Sequence, residues 1–402
     1  MTLDQVASRM ENAINSFHGN FKKMYGQLSA RVDDASYLTT GGNKIISDIT
    51  RDDFELCDME SGELGAIFKA RPDINAIIFG ISADTVEASS DTGNVKTYLE
   101  DLAMICGPEL NVISNTEPET ILSALTDTNV CLIKGIGALS TGSNFKKAVA
   151  GMLLVEKNCE ALNHGRMLGG AIPLNEEEAL AYKQSFREDY TTRNEEEYVD
   201  FVGFDEEEFA GRCELIDYGH ALVNNDLSYG SWGNISIRLN EDEMLITPSA
   251  MDYFEIKPED IVKVNIHTLE YGNQRVPSSE APMHAAIYRT RDDADAVIHT
   301  HSNGISVFAA CEKGFAITDP TLKDLIGDIV VTESAPPGSD KLGEVVSETM
   351  QNTHACIIPH HGAVFYGPSL EVVFAIAEAV EQKARNLLAF DSIDSFEDVL
   401  DD

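Results

Sequence analysis

Long apolar runs are missing from this chain. Nowhere do about 18 consecutive apolar residues occur, so no membrane-spanning helix is expected. Positive charge is scarce as well. Against 68 Asp and Glu stand only 29 Lys and Arg, a formal charge of −39 that repels nucleic acid and anionic membranes. The acidic residues are spread along the chain, with clusters at 176–178, 195–197 and 205–208. Such a surface fits a salt-rich cytoplasm, where screening removes the self-repulsion. Paired cysteines are absent too: none of the seven forms a CxxC pair, which argues against a cysteine zinc site. Several lie in apolar runs and read as reduced core residues of an intracellular protein. The opening MTLDQVASRMENAINSF lacks a basic stretch followed by an apolar one, so no secretory signal is expected. Neither a Walker loop nor a dinucleotide fingerprint occurs.

What is present is a concentration of histidine. Four of ten histidines fall in Ala296–His301 and Pro359–Gly362, two short segments that read as buried strands. On a strand, His299 and His301 point to one face. With a third imidazole from the second segment they form a three-histidine metal site with an open position, suited to zinc. Fe²⁺, Mn²⁺ and Co²⁺ accept the same ligands. Upstream, Ser278-Ser279-Glu280 supplies a candidate acid/base carboxylate. Gly233–Ser236 and Thr247–Ala250 offer donors for a phosphate, or plain turn chemistry.

A chain of 402 residues predicts two domains, and the chain repeats itself. Tyr25–Arg31 resembles Trp232–Arg238, 207 positions on. Ala66–Asp73 resembles Ala286–Asp293 at 220, and Cys131–Ala138 resembles Cys356–Ala363 at 225. The order is kept, which predicts domains 1–200 and 201–402 joined by the polar stretch 186–198. Both carry irregularly alternating strands and helices, predicting an α/β/α sandwich with a mixed or antiparallel sheet. In the second copy, strands are predicted at 244–247, 261–265 and 355–358, and helices at 281–290, 305–310 and 369–390. Where it has His299, His301 and His361, the first copy has Phe79, Ile81 and Ile136. A metal site does not survive losing every ligand, so the first copy is expected to be non-catalytic.

The runs GNISIRL (233–239), LITPSAMDY (245–253), SSEAPMHAAIYRTRDDADAVIHTHS (278–302), APPGS (335–339) and IPHHGAVFYG (358–367) resemble the class II aldolase/adducin family, above all its L-fuculose-1-phosphate aldolase type. The resemblance is strong over about 205–390 and degenerate over 1–170. It implies zinc ligands His299, His301 and His361, with His360 a neighbour, and Glu280 as acid/base. It implies a phosphate pocket of Asn234, Ser249, Ala250, Ser278 and Ser279, although position 250 is usually glycine in the family. The implied reaction is cleavage of a ketose 1-phosphate to dihydroxyacetone phosphate and an aldehyde. Related 4-epimerases carry aspartate in place of Glu280; a dehydratase or a non-catalytic adducin-like module are the other readings. Family members are typically cyclic tetramers in which a neighbour's tyrosine assists. The resemblance therefore implies a homo-oligomer, most simply a dimer of two-domain chains, with Tyr182, Tyr190 and Tyr198 as candidate tyrosines.

Overall fold

The computed structural model describes residues 1–17, 24–91, 93–186, 203–272 and 275–389. Tyr190 and Tyr198 lie outside them. The chain divides into two compact units, Met1–Asn163 with Pro173–Phe186, and His164–Ile172 with Arg187–Asp402.

In the first unit, β1 (Tyr25–Arg31), β2 (Ser36–Thr39), β3 (Glu55–Asp58), β4 (Ala76–Ile81), β5 (Val112–Ile113), β6 (Val130–Ile133) and β7 (Gly137–Gly142) lie in the order 3-2-1-4-7-6-5. The short strand Lys44–Ile45 also pairs with β1. In the second unit, β8 (Asn234–Arg238), β9 (Glu243–Ile246), β10 (Val262–Asn265), β11 (Ala296–Thr300), β12 (Val330–Val331), β13 (Ala355–Ile358) and β14 (Gly362–Gly367) lie in the order 10-9-8-11-14-13-12. Adding seven to each label turns one order into the other. Within both orders every pairing is antiparallel except the parallel pairs β5–β6 and β12–β13.

The helices repeat as well. The first set is α1 (Leu3–Asn15), α2 (Gly62–Ala70), α3 (Ala83–Ser90), α4 (Glu100–Cys106), α5 (Pro118–Ala124) and α6 (Phe145–Gly165). The second is α7 (Glu206–Asn224), α8 (Ala281–Thr290), α9 (Asn303–Ala310), α10 (Pro320–Ile326), α11 (Asp340–Thr349) and α12 (Leu370–Ala389). Helix Glu176–Ser185 adds to the first unit.

Alternation along the strands makes three layers. In the second unit Ile235, Ile298 and Phe365 pack with Leu215 and Leu222 of α7, Phe308 of α9 and Val380 of α12. Met244, Ile246, Val297 and Val364 pack with Met283 and Ile287 of α8 and Val346 of α11. Each such side chain, once buried, contributes about 1.5–3 kcal/mol. The fold is thus two tandem α/β/α sandwiches, each around a mainly antiparallel sheet.

Two polar devices are kept in both copies. Arg238 donates to the carbonyls of Ala294, Tyr288 and Arg291, and Arg31 donates to those of Ile74, Phe68 and Arg71, which are the matching positions. Glu381 on α12 accepts from Ser302 Oγ at 2.7 Å and from the N–H groups of Gly304 and Ile305 at 2.8 and 3.0 Å. Glu156 on α6 accepts from Ser82 Oγ at 2.6 Å, just ahead of α3.

One expectation needs correcting. Pro359–His361 is not a strand but the tight turn between β13 and β14. His360 has φ +60°, a left-handed conformation that reverses the chain there. The first copy turns at Gly135, with φ +63°. His301 falls one residue beyond β11.

Candidate metal centre

Strand β11 lies at the middle of its sheet, between β8 and β14. His299 stands near its end, paired across with Asn234 on β8 and Val364 on β14. His301 follows two residues later on the same side. His361 immediately precedes β14. Gly362 permits this approach: a Cβ there would stand 2.1 Å from the Thr300 carbonyl oxygen. The fourth group, Glu280, stands at the residue before α8, where its own N–H donates to Ser278 Oγ at 3.2 Å and its side chain makes no capping bond. Pro282 in the first turn suits a helix start, since its missing N–H would have no partner there.

These four side chains converge. His299 Nε2 is 2.9 Å from His301 Nε2, 3.1 Å from His361 Nε2 and 3.1 Å from Glu280 Oε2. Glu280 Oε1 is 3.4 Å from His361 Nε2. All four are buried, His299 completely. His299 Nδ1 donates to the Ala363 carbonyl at 2.9 Å, which turns the lone pair of Nε2 toward the other ligands. Tetrahedral zinc at the usual Zn–N distance sets its ligand nitrogens about 3.3 Å apart, close to the spacings seen here. Glu280 Oε1 is buried yet accepts no hydrogen bond. Three imidazoles and a carboxylate with an unused oxygen suit a divalent cation. Burial raises the pKa of Glu280, but His299, His361, Asn234 and His301 outweigh it and hold the group at about 2. It is therefore ionised at neutral pH.

Of the proposed phosphate residues, Ser278 adjoins this cluster through its contact with the Glu280 N–H. Pro248 and Pro277 form a bridge; Ser249 N–H donates to Val276 and Ser278 N–H to Thr247, each at 3.0 Å. This sets Ser249 and Ser278 diagonally on either side of the bridge, with Ala250 and Ser279 further out at its opposite ends. Ser249 Oγ is buried without a hydrogen-bond partner. Ala250 has φ +58°, a conformation that glycine adopts without strain. Asn234 is placed differently: its Nδ2 donates to Glu280 Oε2 at 2.8 Å. Tyr182 donates to Glu100 Oε1 at 3.1 Å.

Sequence reasoning passed over His284. It is fully buried and one helical turn beyond Glu280. Its Nε2 is 2.6 Å from Asn234 Oδ1, its Nδ1 is 2.6 Å from Ser236 Oγ, and that hydroxyl is 2.8 Å from Tyr288 OH. Burial drives the His284 pKa down to about 3, against opposition from Glu280. The available signal was the internal repeat: 220 positions earlier stands Leu64.

The second unit is a three-layer α/β/α sandwich in which three histidines near the ends of its central strands and a glutamate at a helix start form a group that could hold a metal ion. The chain belongs to the family described as Class II Aldolase and Adducin N-terminal domain, which it matches over residues 13–162 and again over 213–388. It is similar to 5-deoxy-D-ribulose 1-phosphate aldolase of Bacillus thuringiensis, 32% identical over 175 residues, 42% of this chain and 80% of the relative. It is 32% identical over 169 residues to L-fuculose phosphate aldolase of Haemophilus influenzae, covering 42% and 77%. It is 27% identical over 180 residues to 3-oxo-tetronate 4-phosphate decarboxylase of Pectobacterium atrosepticum, covering 43% and 82%. No helix among the described residues is long and apolar enough to cross a membrane.

Proposed function

We propose that the second unit performs metal-dependent aldol cleavage and condensation of a phosphorylated ketose, giving dihydroxyacetone phosphate and an aldehyde. The observation that carries this reading is the meeting of His299, His301 and His361 Nε2 atoms with Glu280. A divalent cation held there, zinc by ligand type, supplies Lewis-acid polarisation of substrate oxygens. Glu280 then moves the proton. When the C3–C4 bond breaks, the ionised carboxylate of Glu280 takes up the proton that the C4 hydroxyl gives up and delivers it to C3. Ser249, Ala250, Ser278 and Ser279 hold the phosphate, and its binding orients the reacting carbons. Asn234 serves Glu280 from one side and borders this pocket.

The first unit, domain 1–200 with Phe79, Ile81 and Ile136 at the ligand positions, is non-catalytic on this reading. The whole is a cytoplasmic enzyme adapted to salt, whose described cysteines are all free thiols. We also propose that two chains associate to give four domains; a fully active species of 43.9 kDa in solution would exclude this.

The test joins metal analysis to a screen for dihydroxyacetone phosphate release from phosphorylated ketoses, including 5-deoxy-D-ribulose 1-phosphate and L-fuculose 1-phosphate. We expect His299→Phe, which copies Phe79, to remove the metal and lower activity by more than about 100-fold. Unchanged metal content would overturn the ligand set. The Pectobacterium relative brings a second reading, decarboxylation, which release of carbon dioxide without an aldehyde would identify.

A further inference from the structure

The hydrogen bonds behind Glu280 run in one direction only. A carboxylate accepts, so Asn234 must present Nδ2 to Glu280 Oε2 and Oδ1 to His284. His284 must then carry its proton on Nε2 and accept at Nδ1 from Ser236. Ser236, having donated, accepts from Tyr288. Every member is buried. Rotating the Asn234 amide would set its NH₂ against the N–H of His284, so the imidazole locks the amide.

The first copy supplies a comparison within the same chain. At the corresponding offsets stand Gln27, Ser29, Glu60, Leu64 and Phe68. Gln27 Nε2 turns to Thr39 Oγ1 and the Thr40 carbonyl, Leu64 packs on the core, Phe68 is buried, and Glu60 pairs at the surface with Lys69. The imidazole and the phenol hydroxyl have gone together with the three histidines. The arginine and glutamate devices, which serve the fold, remain. The chain of hydrogen bonds therefore follows the metal centre, not the sandwich.

We propose that His284 is a positioning residue for Glu280, holding the Asn234 amide so that Oε2 is tied and Oε1, which accepts no hydrogen bond, is left for proton exchange with substrate. This rests on the reading of Glu280 as the acid/base group. A neutral ring fits the role, because it donates and accepts without exchanging protons itself.

The test uses metal-loaded full-length protein and the ketose phosphate that the wild type cleaves best. Leucine and phenylalanine already occupy the matching places in the first copy, so His284→Leu and Tyr288→Phe are compatible with this architecture. His284→Leu should lower kcat at least tenfold, with KM within threefold and metal content unchanged. His284→Gln, whose amide reaches Asn234 as Nε2 does, should regain most of the loss, and Tyr288→Phe should lose only two- to threefold. Imidazole nitrogen NMR, which needs no substrate or activity, should find the His284 proton on Nε2. Wild-type kcat in His284→Leu, loss of metal there, no rescue by glutamine, or a proton on Nδ1 would each overturn the proposal. Glu280→Gln separates the two levels. If it stays active, the acid/base reading falls and takes this inference with it. If it is inactive while His284→Leu is unaffected, the inference alone falls.

Discussion

At the scale of single residues, His284 ties chemistry to stability. Its pKa is about 3 in the fold, against an ordinary 6.5. Between these values the unfolded chain binds a proton that the folded chain does not, so stability falls as pH drops from 6.5 toward 3; above 6.5 the ring contributes nothing. The slope is about 1.4 kcal/mol per pH unit. In the metal-free protein, moving from pH 7 to pH 5 should cost the wild type about 2 kcal/mol more than His284→Gln. Urea midpoints at the two pH values measure this, and parallel losses in both proteins would contradict it. Nothing in the local sequence marks His284, since on α8 it reads as one more buried position. Glu280, His299, His301 and His361 were legible because three imidazoles in apolar segments need an explanation. The partner of Asn234 was not legible, because it depends on the pairing of β8 with β11 and on the placement of α8.

At the scale of elements, the sequence was clearest where periodicity was strong. Helix 281–290 and strand 355–358 were read with their observed bounds. The turn 359–361 was misread as strand because its apolar neighbours hide it, and φ +60° at a histidine has no composition signal. Helices α10 and α11 were passed over; proline and glycine break the pattern of the loops before them. The N-terminus of α9 shows what holds the centre from behind. Its first N–H groups and Ser302 all end on the buried carboxylate of Glu381. Glu381→Ala leaves those donors without an acceptor and should cost about 2–4 kcal/mol. Chemical denaturation measures that cost, and a change below about 0.5 kcal/mol would show that water replaces the carboxylate. Because α9 begins two residues after His301, some loss of bound metal should accompany it.

At the scale of the whole molecule, the acidic excess dominates. A charge of −39 on one chain repels itself. Raising salt from about 0.1 M to about 1 M shortens the screening length from about 10 Å to about 3 Å. The melting temperature should rise by at least about 5 °C, the shift that about 2 kcal/mol produces in units of this size. Thermal scans in potassium chloride test this, and a flat response would leave the acidic surface without that role. The duplication was legible in three short matches. The sheet order made it complete, because strand neighbours are set by long-range pairing that no local match carries.

The relaxed turn at Gly135 has a consequence for descent. Reversing the first copy would require histidines in place of Phe79, Ile81 and Ile136, and polar groups in place of Leu64 and Phe68. Each such step alone adds a polar group with no partner waiting for it, which is costly wherever the position is buried. None restores a metal site until the ligands are together. A single step can remove such a centre, while no single step can assemble one in the first copy.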